Sequence, residues 1–194
     1  ARQVHERALR RQRVDEVGRT VRELIARDVE ALPFEAQFFV NVHPMELGDP
    51  HLASRTSPLS LIAPRVVIEL TERATLEGVE SLDEKLDALR TLGFRLAVDD
   101  LGAGYSGLST FARVKPDFVK LDGSLVRDID TSESQQRVVA AMMELARDFG
   151  SQVIAEAIET EEERLTLLAL GVEWMQGFYF GRPGKPFVAG KKAA

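Results

Sequence analysis

Val98-Asp99-Asp100-Leu101-Gly102-Ala103-Gly104-Tyr105-Ser106-Gly107 is the stretch on which the fold turns. An apolar strand (Phe94, Leu96, Val98) runs into two adjacent carboxylates and then into a glycine-rich turn. Two like charges 4 Å apart repel by roughly 4 kcal/mol at an effective dielectric of about 20. A fold that gathers such charges in a cleft offsets the repulsion with a cation. Outward from this stretch, apolar runs ending in metal-compatible groups recur. They are Phe38-Phe39-Val40-Asn41, Val66-Val67-Ile68-Glu69, Phe118-Val119-Lys120-Leu121-Asp122 and Val153-Ile154-Ala155-Glu156. Such groups at the carboxyl ends of successive strands read as a divalent-metal site on a barrel rim.

Helical patterns alternate with these strands. From Val14 to about Leu32, the residues Val14, Val17, Val21, Leu24, Ile25 and Val29 form one apolar stripe, with Arg13, Arg19, Arg22 and Arg27 on the other face. The spacing predicts an outer helix packed on a sheet. Ser81-x-x-Glu84, Ser132-x-x-Gln135 and Thr160-x-x-Glu163 predict capped helix starts, and Gly93, Gly150 and Gly171 predict helix stops. Leu82, Leu86 and Leu89 are expected inward on the first of these helices, and Val138, Met142, Leu145 and Phe149 on the second. Strands are expected over 38–42, 66–70, 94–98, 118–121 and 153–155, with a last one near 173–178. Strands alternating with helices imply right-handed parallel crossovers, and chemistry at every strand's carboxyl end favours a (β/α)₈ barrel. The expected fold class is therefore α/β, a TIM-like barrel with about six of eight strands present. The two others are expected before the first helix. The organisation divides into an N-terminal helical region (1–33), motif-bearing βα units (34–183) and a flexible tail (184–194).

Composition narrows the partners. The 194 residues suit one domain, and the net charge of −6 argues against a DNA duplex or an anionic membrane. Acids gathered around metal ions leave an anionic substrate open. The chain has no cysteine, which suits a reducing cytoplasm, and no apolar run reaches the roughly 18 residues of a membrane span.

The motifs Asn41-Val42-His43-Pro44, Ile68-Glu69-Leu70-Thr71-Glu72, Asp99-Asp100-Leu101-Gly102-Ala103-Gly104-Tyr105-Ser106, Val119-Lys120-Leu121-Asp122, Ala155-Glu156-Ala157-Ile158-Glu159-Thr160 and Gln176-Gly177-Phe178-Tyr179-Phe180 occur in order. Together they resemble the EAL-domain family of cyclic di-GMP phosphodiesterases and their degenerate relatives. The resemblance implies that Asn41, Glu69 and Asp99 hold Mg2+ or Mn2+, with Asp99 bridging to a second ion near Asp100. It places Glu156 and Glu159 by that second metal and the attacking water. Lys120 is implied to orient the water or neutralise phosphate charge, and Asp122 and Gln176 to complete the substrate site. Glu72 matches the residue that anchors the loop after the Asp pair, a loop tied to dimer contacts. The implied reaction is hydrolysis of cyclic di-GMP to linear pGpG. The implied assembly is a homodimer, with room for upstream sensory or cyclase domains.

The chain departs from the family pattern mildly at Leu101 (commonly Phe), Ala157 (commonly Gly) and His43 (commonly Ser). A larger departure lies at the front, where the name-giving Glu-Ala-Leu strand belongs well upstream of Asn41. Glu30-Ala31-Leu32 has the right letters but ends a predicted helix just before Pro33, and reads as coincidence. A chain without that carboxylate is expected to have impaired catalysis. The alternative to an enzyme is therefore a non-catalytic module that binds cyclic di-GMP or another protein. Gly102-x-Gly104-x-x-Gly107 also matches a dinucleotide fingerprint. The Asp pair beside a pyrophosphate and the early Lys115-Pro116 break count against it. His5, His43 and His51 share no metal-ligand spacing and read as structural. Phe178, Tyr179, Phe180 and Trp174 read as core and rim packing.

Overall fold

Each apolar run becomes a strand, and each strand pairs in parallel with its neighbour in sequence. In a computed structural model these are β1 (Phe38–Asn41), β2 (Val66–Thr71), β3 (Arg95–Leu101), β4 (Phe118–Leu121), β5 (Gln152–Ala155) and β6 (Trp174–Met175). They form one six-stranded parallel half-barrel in the order β1-β2-β3-β4-β5-β6. The structure describes residues 2–30, 36–71, 76, 79–102 and 107–184, with side chains from Val14 onward except at 30, 71 and 107. The expected flexible tail lies outside these residues from 185 on. The helices are α1 (Arg2–Glu30), α2 (Pro58–Leu61), α3 (Leu82–Thr91), α4 (Gly107–Val114), α5 (Gly123–Val126), α6 (Glu133–Phe149) and α7 (Glu161–Ala169).

Strand periodicity sorts the side chains into two layers. Val66, Ile68, Leu70, Leu96 and Val98 point outward into a core shared with Leu82, Leu86 and Leu89 of α3. Leu121, Val153 and Ala155 join Val139, Ala146 and Leu167 under α6 and α7. The alternate residues Val67, Ala97, Phe118 and Ile154 form a small inner cluster. There Phe39 meets Phe118 edge-on, with ring centroids 5.3 Å apart. Two residues beyond each member of that inner cluster stands Glu69, Asp99, Lys120 or Glu156. The same pleat that fills the inner layer carries these side chains to the rim.

Helix boundaries follow local chemistry, with corrections. Thr160 and Glu163 form a complete capping box on α7. Ser132 accepts from the Gln135 backbone N–H, but the Gln135 side chain reaches Ser124 and Arg127 carbonyls instead of closing the box. Ser81 precedes α3 in a left-handed conformation and makes no side-chain cap, so that expected box does not form. Gly93, Gly150 and Gly171 all take the positive φ expected of helix stops. On α6 Met142 and Leu145 pack partly buried against the core as expected, but the fully buried residues are Val139 and Ala146, whereas Val138 and Phe149 are exposed, so the buried face is turned by about one position. His43 is structural, as expected: its Nδ1 accepts from the Met45 N–H at 3.2 Å.

The expected face of α1 is also corrected. Ala26 and Val29 are buried, but Val17, Val21 and Leu24 are exposed, and Arg22 is buried. Charge, not hydrophobicity, docks this part of the helix. Arg22 pairs with Glu46 and donates to Asp49 Oδ2 at 2.8 Å, and Arg19 donates to both oxygens of Asp49 at 2.6 and 2.9 Å. Glu46 also accepts from the His43 N–H, which caps a short 3-10 turn over Pro44–Gly48. Gly18 makes this approach possible, since a Cβ there would fall 1.7 Å from Glu46 Oε1. The helix ends at Glu30, so the Glu-Ala-Leu tripeptide begins on α1 and not on a strand of the sheet. Among the described residues, no helix is long and apolar enough to cross a membrane.

Removing one partner of a buried ion pair leaves the others desolvated and unpaired, at a cost of about 3–5 kcal/mol. Arg22→Ala should therefore lower stability by about that amount in urea denaturation, and Val17→Ala should change little. Burial favours the neutral form of Asp49, but Arg19, the His51 N–H and Arg22 outweigh it and hold the carboxyl below its ordinary 3.8. A depressed carboxylate contributes stability above its unfolded value and loses it below. The docking of α1, followed by limited proteolysis, should hold at neutral pH and loosen as pH falls below about 4.

Candidate metal centre

Register sets the height of each rim group. Asn41 stands opposite Glu69, and Glu69 opposite Ala97, which puts Asp99 one pleat further toward the carboxyl end. Neighbouring strands lie about 4.8 Å apart, so these groups sit within reach of one another. Asp99 and Asp100 should point to opposite faces of a regular strand. The ladder between β3 and β4 shifts between Val98 and Leu101, and Asp100 takes a left-handed φ of 60° with its N–H on Asp99 Oδ1. That kink cancels the alternation. Asp99, Asp100 and Glu156 consequently offer carboxylate oxygens within 4.8 Å of one another.

Lys120 rises from β4 into the middle of the acids. Its Nζ lies 2.6 Å from Glu156, 2.7 Å from Glu69 and 3.1 Å from Asp99. These carboxylates come from the turn after β5, from β2 and from β3. Burial pushes the Glu69 carboxyl above its ordinary value; Lys120 opposes the shift and Asp99 adds to it. Glu156 is raised for the same reason, with Asp99 and Glu69 adding to the effect. Burial alone would lower the Lys120 ammonium, but Glu156 and Glu69 overcome it and hold the group firmly charged. One positive charge thus faces three carboxylates, with Asp100 beside them.

The donor set suits a hard divalent cation. It is made of carboxylate oxygens, without sulfur or imidazole. Glu69 Oε1 is buried and lies 2.7 Å from Lys120 Nζ. The excess of carboxylates over cations calls for more positive charge. Oxygens of Asp99, Asp100 and Glu156 within 4.8 Å of one another are close enough together to share one such cation. The residues present fit Mg2+ or Mn2+.

The remaining expected residues are placed around this cluster, not in it. Asn41 is level with Glu69 but exposed, facing a groove it shares with Val17, Val21 and His43 of α1 and the β1 loop. Asp122 caps α5, accepting from the Ser124 N–H at 2.9 Å, and lines a cleft with Glu156 and Ala157. Glu159 and Gln176 line a second cleft of about 550 Å³ together with Glu156. Glu72 lies outside the described residues, as does the segment 103–106. Two functional candidates escaped the sequence reading. Arg127 lines both clefts, 3.4 Å from Glu159, and Arg182 lies 4.6 Å over the Phe178 ring. Asp122 and Arg127 flank α5 at its two ends, and that short spacing was the signal available. Trp174, Phe178, Tyr179 and Phe180 are exposed on the rim and none is in the core.

Two turns hold the clefts in shape. Ala157 takes a left-handed φ of 59°, a strain of roughly 1–2 kcal/mol for a residue with a Cβ. Gly177 is required by close approach, since a Cβ would fall 2.1 Å from the Ile158 carbonyl oxygen. That backbone exchanges hydrogen bonds with this turn, Ile158 N–H to Gln176 and Tyr179 N–H to Ile158. Gly177→Ala should cost about 1–3 kcal/mol by thermal denaturation and displace Gln176 from the cleft.

Comparison with known proteins agrees with this geometry. The EAL domain family model matches residues 2–183. "Probable cyclic di-GMP phosphodiesterase PdeA" of Escherichia coli is 34% identical over 151 residues, covering 76% of this chain and 21% of that protein. Cyclic di-GMP phosphodiesterase RocR of Pseudomonas aeruginosa is 35% identical over 147 residues, covering 74% of this chain and 38% of that one. The chain thus spans well under half the length of these relatives. Among solved structures, the manganese/cyclic di-GMP complex of Klebsiella pneumoniae BlrP1 superposes with a TM-score of 0.76 at 34% identity, over 90% of this chain and 45% of that one. A standalone EAL protein from Vibrio cholerae, bound to cyclic di-GMP, gives 0.78 at 28% identity, over 87% and 73%. A parallel half-barrel with an acidic, lysine-centred rim, matched along nearly its whole motif-bearing length, makes this chain a member of the EAL domain family.

Proposed function

We propose that this domain hydrolyses cyclic di-GMP to linear pGpG at a centre of two Mg2+ or Mn2+ ions. The observation that carries the reading is the excess of carboxylates around Lys120, with Asp100 adjoining. Asn41, Glu69, Asp99, Asp100 and Glu156 would hold the ions, with Asp99 shared between them. Paired ions supply a hydroxide nucleophile at neutral pH and neutralise the phosphoryl oxygens. In the proposed step, the water oxygen bonds to phosphorus and one P–O ester bond breaks. The water proton passes to a rim base, and the leaving alkoxide takes up a proton.

The chain's own residues would do the rest. Glu156 and Glu159, on one turn, would orient the attacking water and accept its proton. The Lys120 ammonium would steady the developing phosphoryl charge. Asp122 and Gln176, in the flanking clefts, would contact the nucleotide. A cytoplasmic setting suits the cysteine-free chain. Homodimerisation and attachment to sensory or cyclase domains belong to the same reading, the latter in keeping with relatives longer than this chain.

A second reading has its own support. Lys120 already offsets Glu69, Asp99 and Glu156, and a domain whose acids keep that partner would bind cyclic di-GMP without cleaving it. Incubation with cyclic di-GMP and Mn2+, followed by chromatography of the nucleotides, separates the two. Hydrolysis predicts accumulating pGpG, reduced at least 100-fold by Asp99→Asn, since even weakened ligand support costs 10–100-fold. Retained cyclic di-GMP binding with no linear product would favour the binding module.

A further inference from the structure

Lys120 is too well satisfied to be a free catalytic group in the metal-free site. Its side chain is only 8% exposed, and an ammonium has three N–H donors. Three carboxylates, from β2, β3 and the turn after β5, lie within 3.1 Å of its Nζ. These are the carboxylates that the proposed function assigns to the metal ions. We infer that Lys120 is the internal counter-ion of the metal-free centre, and that loading a divalent ion is a cation exchange that drives its Nζ off these acids.

Geometry and charge both lead to the exchange. Glu69, Asp99 and Glu156 would hold the divalent ion, and Lys120 Nζ, already within 3.1 Å of all three, would be repelled by a second cation on the same acids. The acids cannot serve both fully, because they are spaced around a single point. The ammonium therefore plays two opposed parts. It holds three mutually repelling carboxylates together before any ion arrives, and it lowers the ion's apparent affinity by occupying its place. It also imposes an order, since Nζ becomes available to water or phosphate only after the ion has displaced it.

This inference rests on the metal-centre reading but is tested without turnover. The chain is labelled with 13C,15N-lysine and titrated with Mg2+, the Lys120 signal being assigned by its loss in Lys120→Arg. Mn2+ binding is measured by calorimetry on the wild type and on Lys120→Met. The expected results are a saturable shift of the Lys120 Cε and Nζ resonances and at least tenfold tighter Mn2+ binding by Lys120→Met. In EDTA that variant should also melt below the wild type, and Mn2+ should raise its Tm by more. Ions that bind while the Lys120 resonances stay unmoved would overturn the exchange and leave the metal centre intact. A wild-type chain that takes up neither ion would overturn both. Should Lys120→Met fail to fold, the wild-type resonance titration decides by itself.

Discussion

Three carboxylates converge on one ammonium, and the rest of the molecule is arranged to make that tolerable. Glu69, Asp99 and Glu156 repel one another, and burial pushes the Glu69 and Glu156 carboxyls above their ordinary values. Lys120 keeps the cluster together only because β2, β3, β4 and the turn after β5 end at one rim. That alignment comes from the parallel ladder. In an antiparallel sheet, neighbouring strands would deliver their carboxyl ends to opposite edges. The charged rim and the parallel topology are therefore one constraint seen at two scales.

A second charged lock, between α1 and the turn after β1, uses the same physics for a different end. Arg19 and Arg22 bind Asp49 and Glu46 and set which face of α1 is buried. Here cations and anions are matched, and the ensemble is a clamp. At the rim they are unmatched, with carboxylates in excess, and the ensemble is a receptor for more positive charge. The difference between a structural and a functional cluster lies in that balance, not in the residue types.

Local pattern carried much of the fold. The apolar runs, their spacing and the glycine stops located every strand within a few residues, because strand pleat and helix turn are short-range periodicities. The acids at the strand ends marked the rim for the same reason. Misreadings arose where burial depends on distant partners. On α1 the apolar stripe through Val17 and Val21 lost to Arg22, whose partners stand more than 20 residues away. On α6 the buried face turned by one position to meet Ile129 and Leu167.

The sequence by itself determined the alternation of strand and helix, the parallel topology and the inventory of oxygen donors, since each follows from neighbours along the chain. Only the tertiary structure decided that Lys120 serves Glu69, Asp99 and Glu156 together. The same is true of the left-handed backbone that turns Asp100 toward Asp99, and of the clefts that take in Arg127 and Arg182. Those are distances between residues on different strands. Electrostatic energy depends on such distances, and no local periodicity encodes them.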